Sequence, residues 1–245
     1  MTRAGAWHQA WRTLPVAALD AIIGDGTCLI LAPHPDDESL GCGGLIAACS
    51  AADRPALVVI LTDGAGSHPN SRAFPPERLR ALRQQEARNA VEHLGLPPDH
   101  IVFLGQPDTE APREGSVFTA VVDRLTELVR REPGCTAILA PWLHDPHHDH
   151  EAASLVAAEV AARTGIRAVA YPVWGWTLPP DAPIPVPVGT GWRLDVAAFL
   201  PSKQRAIQAH RSQYGGLIID DPAGFCLPPA LLSVFDNPFE TFLQP

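Results

Sequence analysis

Only one of the eighteen basic residues in this 245-residue chain is a lysine, Lys203, and twenty-seven acidic residues leave a formal charge of -9. No Lys/Arg cluster is dense enough to displace counterions from a phosphate backbone, so nucleic acid is not the expected partner. Cysteine is sparse as well. Cys28, Cys42, Cys49, Cys135 and Cys226 are odd in number, form no C-x-x-C pair and lie mostly in apolar runs, so no disulfide framework is expected. Long apolar runs are missing: nothing approaches the roughly 18 to 20 residues of a membrane span. The N-terminal stretch 1–23 is broken by His8, Gln9, Arg12 and Asp20 and lacks the continuous apolar core of a secretory signal. These absences predict a cytoplasmic protein without a transmembrane segment. What is present suits a globular chain, with 46% hydrophobic and 18% charged residues, far from the composition of disorder. The 26 prolines, about twice the ordinary share, point to proline-rich loops.

Short apolar runs recur along the first two thirds, at 28–32 (CLILA), 56–62 (ALVVILT), 101–105 (IVFLG), 136–141 (TAILAP) and 168–171 (AVAY). Stretches with helical spacing separate them at 40–52, 76–94, 116–131 and 150–163. The second of these opens with Pro-Pro-Glu and closes at Gly95, as helix start and stop signals require. Strands of continuous apolar character alternating with helices predict an α/β fold, three-layered and Rossmann-like, with a mostly parallel sheet covered on both faces. Residues 178–188 carry five prolines and read as a loop or edge excursion; 191–200 reads as one more strand and 202–213 as a closing helix. Beyond Tyr214 the pattern gives little. No linker marks a second domain, so residues 1–245 are expected to form one, with 171–245 rimming the site. The oligomeric state stays open, since Phe235, Phe239, Phe242 and Leu243 suit either packing in trans or closing the domain.

Ligands of open α/β sheets bind outside the carboxyl ends of the strands, where the strand order reverses. The segments there are 32–39 (APHPDDES) after the first strand and 142–150 (WLHDPHHDH) after the fourth. In the order 3-2-1-4-5 those strands are neighbours and the two loops meet. Asp36, Asp37, Glu38 and Ser39 would also serve as ordinary helix N-terminal residues. A dinucleotide fingerprint is absent: Gly41, Gly43 and Gly44 come too late to cradle a phosphate, and three acids would repel one. The second segment holds four of the chain's ten histidines, His144, His147, His148 and His150. His147 and His150, three apart at a helix start, can share one crevice. With one His and one carboxylate from the first segment they would satisfy a divalent transition metal. Two His and one carboxylate make both a catalytic zinc site and the facial triad of non-haem iron oxygenases. The extra acid favours hydrolysis, because consecutive Asp36 and Asp37 can direct one carboxylate to the metal and the other to its water.

Pro33-His34-Pro35-Asp36-Asp37-Glu38 followed by His147-His148-Asp149-His150 resembles the LmbE-like, or PIG-L, family of zinc-dependent de-N-acetylases, with its (A/P)HPDDE and HxDH hallmarks. Leu61-Thr62-Asp63-Gly64, Arg83-Gln84-Gln85-Glu86 and Gly105-Gln106-Pro107-Asp108 agree, so the resemblance covers roughly residues 27–170. It implies His34, Asp37 and His150 as zinc ligands, with Fe2+ as another occupant in the cell. It implies Asp36 as general base, His147 as electrophile and general acid, and Asp149 orienting His147. Arg83 and Asp108 would hold sugar hydroxyls. The implied reaction is attack of a zinc-bound water on the acetamide of an N-acetylated amino sugar or glycoconjugate of the GlcNAc type, releasing acetate and an amine.

An amidase acting on a larger N-acyl group, a thiol conjugate or a natural product would use the same chemistry. A non-catalytic metal-dependent sugar-binding protein would have no use for Asp36 or His147. His144 and His148 are given no role, and Trp142, Trp174 and Trp176 are candidates for either core or a sugar-stacking surface.

Overall fold

Strands in which every residue is apolar must be covered on both sides, and the central strands here are built that way. The computed structural model describes residues 2–132 and 134–245. A two-residue strand β1 (Thr2–Arg3) leads into α1 (Ala4–Thr13) and α2 (Leu19–Ile23). Strands and helices then alternate: β2 (Thr27–Ala32), α3 (Asp37–Ala51), β3 (Leu57–Thr62), α4 (Pro76–His93), β4 (Ile101–Gln106), α5 (Gly115–Arg131), β5 (Cys135–Pro141), α6 (His148–Thr164) and β6 (Arg167–Tyr171). A 3-10 turn at Trp174–Thr177 precedes β7 (Pro183–Ile184), β8 (Gly191–Asp195), α7 (Leu200–Ala209), α8 (Arg211–Tyr214), α9 (Pro229–Phe235) and β9 (Phe239–Leu243).

Seven strands form one sheet in the order β4-β3-β2-β5-β6-β9-β8, parallel from β4 to β6, with β9 antiparallel to both neighbours. Alternate residues of each central strand serve opposite faces. Ile30, Ala32, Val58 and Ile60 pack with α3, α4 and α7, whereas Leu29, Leu31, Val59 and Leu61 pack with α5 and α6. The chain winds outward from β2 to β4 and then restarts at β5 on the other side of β2. The loops after β2 and β5 therefore part in opposite directions and open a crevice at the switch point. No helix among the described residues is long and apolar enough to cross a membrane.

The C-terminal third departs from the pattern expected of it. The strand at 191–200 ends at Asp195, and the helix at 202–213 is two helices broken at His210 (φ -77°, ψ 59°). The strand β9 had no legible signal. It sits between β6 and β8, so Phe242 and Leu243 are buried by this chain itself; with Phe235 they close the domain. The proline-rich loop contributes β7, which pairs with β1. Trp142 belongs to a third core cluster with Trp7 and Trp11, ring centroids 4.9 and 5.2 Å away, and is no sugar platform.

The late glycines have a packing role. A Cβ on Gly41 would lie 2.3 Å from the Tyr171 ring, and one on Gly44 would lie 2.5 Å from Val196. α3 thus rests directly on its neighbours, and its first turn is carried to the mouth of the crevice. The buried Lys203 (1% exposed) braces the same helix: its Nζ donates to Glu240 at 2.6 Å, and the Glu240 carboxylate accepts the N–H groups of Gly44 and Leu45. Gly41→Ala is expected to cost on the order of 3 kcal/mol through overpacking, lowering Tm by roughly 6–12 °C for a chain of this size. An unchanged Tm in thermal unfolding would mean that Tyr171 does not set the seat of α3.

Candidate metal and catalytic site

The chain leaves β2 through Pro33-His34-Pro35 and enters α3 at Asp36, whose φ of 156° and ψ of -28° are rarely adopted by an L residue. Several groups hold this strained turn. The Asp36 N–H donates to Glu38 Oε2 at 3.0 Å, and the Asp36 carbonyl accepts from Ser39 and Leu40. Arg83, reaching from α4 and 2% exposed, donates to Gly64 O and Pro35 O at 2.9 Å and to Asp36 Oδ2 at 3.1 Å. Arg83 is therefore neither an exposed helix arginine nor free for substrate alone. Burial pushes the Asp36 carboxyl up to about 7, a rise that Arg83 opposes and Asp37 reinforces.

Asp37, in the first turn of α3, is the centre of the cluster. Its Oδ2 accepts the His34 N–H at 3.0 Å and lies 3.1 Å from His34 Nδ1 and 3.3 Å from His150 Nε2. Each imidazole is turned toward it by a carboxylate behind. His34 Nε2 is 2.9 Å from Asp149 Oδ2 and 3.4 Å from Asp108 Oδ1, and His150 Nδ1 is 2.8 Å from Asp145 Oδ2. A proton on the outer nitrogen leaves the inner one with a lone pair, the arrangement that orients a metal-ligating histidine. His150 Nε2 is buried and has no hydrogen-bond partner.

The donor set fits a divalent metal. Ligands about 2.0–2.2 Å from a tetrahedral zinc sit roughly 3.3 Å apart, close to the 3.1 and 3.3 Å that separate the Asp37 oxygen from each inner nitrogen. The field points the same way. Burial would lower His150, but Asp37 and Asp145 raise it to about 9; His34 is likewise held well above its ordinary value by Asp108, Asp149 and Asp37. Burial alone would raise Asp37, which the two imidazoles hold well below the usual carboxylate range. The surroundings favour positive charge at this point.

His147 caps α6, its Nδ1 accepting the Asp149 N–H at 3.2 Å. Its ring lies 4.6 Å from that of His34 and 5.2 Å from that of His150, and all three offer nitrogens within 4.8 Å of one another. Burial, with His34 and His150 adding, pushes His147 down to about 4. The Asp149 side chain does not reach His147. At the second residue of α6 it points across to β4's loop, accepting from Thr109 and Ala111 N–H as well as meeting His34, so its carboxylate orients His34 instead. Burial opposes, but His34 and Arg83 hold Asp108 down to about 2, and its Oδ2 accepts the Gly66 N–H at 3.0 Å.

His34, Asp36, Asp37, Arg83, Asp108 and His147 line one cleft of about 580 Å³, within the range of small-molecule sites. His150 lies beneath them. His144 packs edge-on against Trp142 and His148 bonds Ala111 O at 2.9 Å, so both serve the loop. Of the tryptophans in question only Trp174 borders the cleft, while Trp176 packs on Trp11.

Three further residues matter here. Asp145 sits beside the histidine cluster in sequence, yet only the fold shows it binding His150 and the N–H groups of Val173, Trp174 and Gly175. Glu38 lies inside the first motif and ties Asp36 N to His210, whose Nε2 is 2.9 Å from Glu38 Oε1. His210 gave no sequence signal, being 172 residues away.

A family model described as PIG-L: GlcNAc-PI de-N-acetylase matches residues 29–161. A diacetylchitobiose deacetylase of Thermococcus kodakarensis is 30% identical over 139 residues, 56% of this chain and 50% of that protein, so the match spans half of the relative's length. A Bacillus anthracis protein named "Probable N-acetyl-alpha-D-glucosaminyl L-malate deacetylase 2" is 29% identical over 196 residues, 76% of this chain and 80% of its own. The N,N'-diacetylchitobiose deacetylase of Pyrococcus horikoshii shares the fold, with a TM-score of 0.69 over 97% of this chain and 90% of that one at 23% identity. The matched span takes in both the 33–38 and the 147–150 segments, and the chain belongs to the PIG-L de-N-acetylase family.

Proposed function

We propose that the protein is a hydrolase that removes the acetyl group from an N-acetylated amino sugar or glycoconjugate of the GlcNAc type, using a divalent metal, zinc, held by His34, Asp37 and His150. The observation that carries this reading is the Asp37 oxygen 3.1 and 3.3 Å from the two inner imidazole nitrogens, with Asp36 and His147 at the same cleft. The relatives named above are deacetylases of N-acetylated sugars by their printed names.

Bound there, the metal supplies positive charge that polarises the acetamide carbonyl and acidifies a water. The chain's own residues do the rest. Asp36, held by Arg83 and by the strained turn, accepts a proton from the attacking water at its carboxylate and delivers it to the leaving nitrogen. His147 has Nδ1 occupied by the Asp149 N–H, so its ring proton sits on Nε2, aimed at the cleft to bind the developing oxyanion. The proton for the amine then comes from Asp36, a departure from the general-acid role that the resemblance implies for His147. Asp149, Asp145 and Asp108 keep the ligand imidazoles in their working tautomers. Gln213 Oε1, buried and without a partner at the cleft, and Asp108 offer acceptors for sugar hydroxyls.

Residues 1–245 are read as one working unit, because β8 and β9 complete the same sheet as β2–β6. The five unpaired cysteines support a reducing, cytoplasmic setting.

The decisive experiment measures acetate release by the zinc-loaded protein from a panel of N-acetylated amino sugars, with Asp36→Ala as the blank. Acetate above the blank, abolished by a chelator and restored by zinc, is the expected result; release that survives chelation would remove the metal from the reaction. Asp36→Ala should keep bound zinc while losing roughly 10²–10⁴-fold in rate, and loss of the metal with it would make Asp36 a ligand. His210→Phe should lower kcat roughly 10–100-fold through Glu38, with metal content and KM unchanged and partial rescue in His210→Gln. A fall in Tm and in metal content together with a rise in KM would assign His210 a merely structural role.

A further inference from the structure

The cleft has two unlike walls. One carries His34, Asp36, Asp37, Asp108, Arg83 and His147; the other is apolar, formed by Trp174, Phe225 and Leu227 with Leu40 from α3. Apart from Leu40, the apolar wall comes from residues after β6, beyond the segment that the family model matches.

We propose that the substrate carries a neutral, apolar alkyl or aryl aglycone on its amino sugar, seated against Trp174, Phe225 and Leu227. This rests on the deacetylase reading and names the substrate class for it. Three observations support it. First, the wall is built in advance of any ligand. Trp174 meets Phe225 edge-on with centroids 5.8 Å apart and an interplanar angle of 67°. The Phe225 N–H donates to Ser67 O at 2.7 Å and the Leu227 N–H to Gln213 O at 2.8 Å. Asp220 ties down the facing loop by accepting from Ser71 Oγ and from the N–H groups of Arg72 and Ala73.

Second, the wall is in register with the chemistry. Asp145 Oδ2 accepts from both the His150 imidazole and the main-chain N–H of Trp174, at 2.8 and 2.9 Å, so one carboxylate ties the ligand set to the backbone that carries the indole. An aglycone on the sugar thus meets the indole while the acetamide meets Asp36 and His147.

Third, charge disfavours an anionic aglycone. Among the described residues Arg83 is the one guanidinium lining the cleft, and it pairs with Asp36. Asp37 and Asp108, joined by Asp36 when it is ionised as the general base, bring up to three negative charges against that one positive, so two positive charges from a metal are taken up within the cleft rather than left to hold a carboxylate or phosphate. A malyl group, the aglycone named for the Bacillus anthracis relative, would be buried against Trp174 and Phe225 without a partner.

The test compares kcat/KM of the zinc-loaded protein for free N-acetylglucosamine, octyl N-acetylglucosaminide and the malyl N-acetylglucosaminide. The octyl glycoside should lead both others by about tenfold or more, since each buried methylene is worth ~0.8 kcal/mol. Phe225→Ala and Trp174→Ala should lower kcat/KM for the octyl glycoside about tenfold more than for the free sugar, through KM rather than kcat. Equal values for the three, or a lead for the malyl glycoside, would overturn the proposal while leaving deacetylation intact. Acetate from none of them would overturn the deacetylase reading; calorimetric binding to the zinc-loaded Asp36→Ala protein then decides the wall. Tighter binding of the octyl glycoside than of the free sugar upholds it, and equal binding removes it.

Discussion

The buried Asp37 carboxylate and the two imidazoles facing it set the terms for everything around them. Charged groups taken out of water are tolerated only when each is paired and hydrogen-bonded, and here the partners come from three separate strand ends. Asp37 stands on α3, His34 on the loop before it, His150 on α6, and the carboxylates behind them follow β4 and β5. Such a cluster requires strands β2, β4 and β5 to end at one place. The parallel sheet with its switch point between β2 and β5 provides that, because it delivers strand ends side by side and parts the loops that follow.

The same demand explains features that look like defects when taken singly. Asp36 occupies a strained backbone region because consecutive residues must aim one carboxylate at the imidazoles and the other at the cleft. The strain is offset by Arg83 on one side and by Glu38 and His210 on the other. α3 begins at Asp37 and Asp36 caps it, so the seat of this helix places both aspartates. Gly41 and Gly44 let it touch Tyr171 and Val196 directly, and the buried Lys203–Glu240 pair grips its backbone. The C-terminal third thus packs around the cleft: His210 bonds Glu38, Lys203 and Glu240 brace α3, and Gln213, Phe225 and Leu227 line the cleft.

Much of this was legible. The five parallel strands and the four crossover helices followed from apolar runs and helix signals, their ends within about three residues, because a strand buried on both faces cannot hide its composition; the order of the strands matches the 3-2-1-4-5 arrangement assumed for them. His34, Asp36, Asp37, His147 and His150 stood out as residue types that a surface loop has little use for at such density. Elements outside the alternating strand–helix pattern were not legible. β9 (FETFL) mixes polar and apolar residues because it lies at the antiparallel side of the sheet, where no crossover helix announces a strand, and α1 carried no cap or start signal. Trp142 and Trp174 looked alike in sequence, yet one fills a core and the other borders the cleft.

The sequence by itself determined the fold class and the chemistry of the two loops, since periodicity is local and the motif residues lie within a few positions of one another. Which carboxylate serves which imidazole was decided only by the tertiary structure. Asp149 is two residues from His147 but binds His34, Asp145 holds His150 and Trp174 together, Arg83 reaches Asp36 from α4, and His210 reaches Glu38 from the break before α8. Hydrogen bonds and ion pairs act over about 3 Å in space whatever the separation along the chain, and only the packed sheet brings such distant residues within that reach.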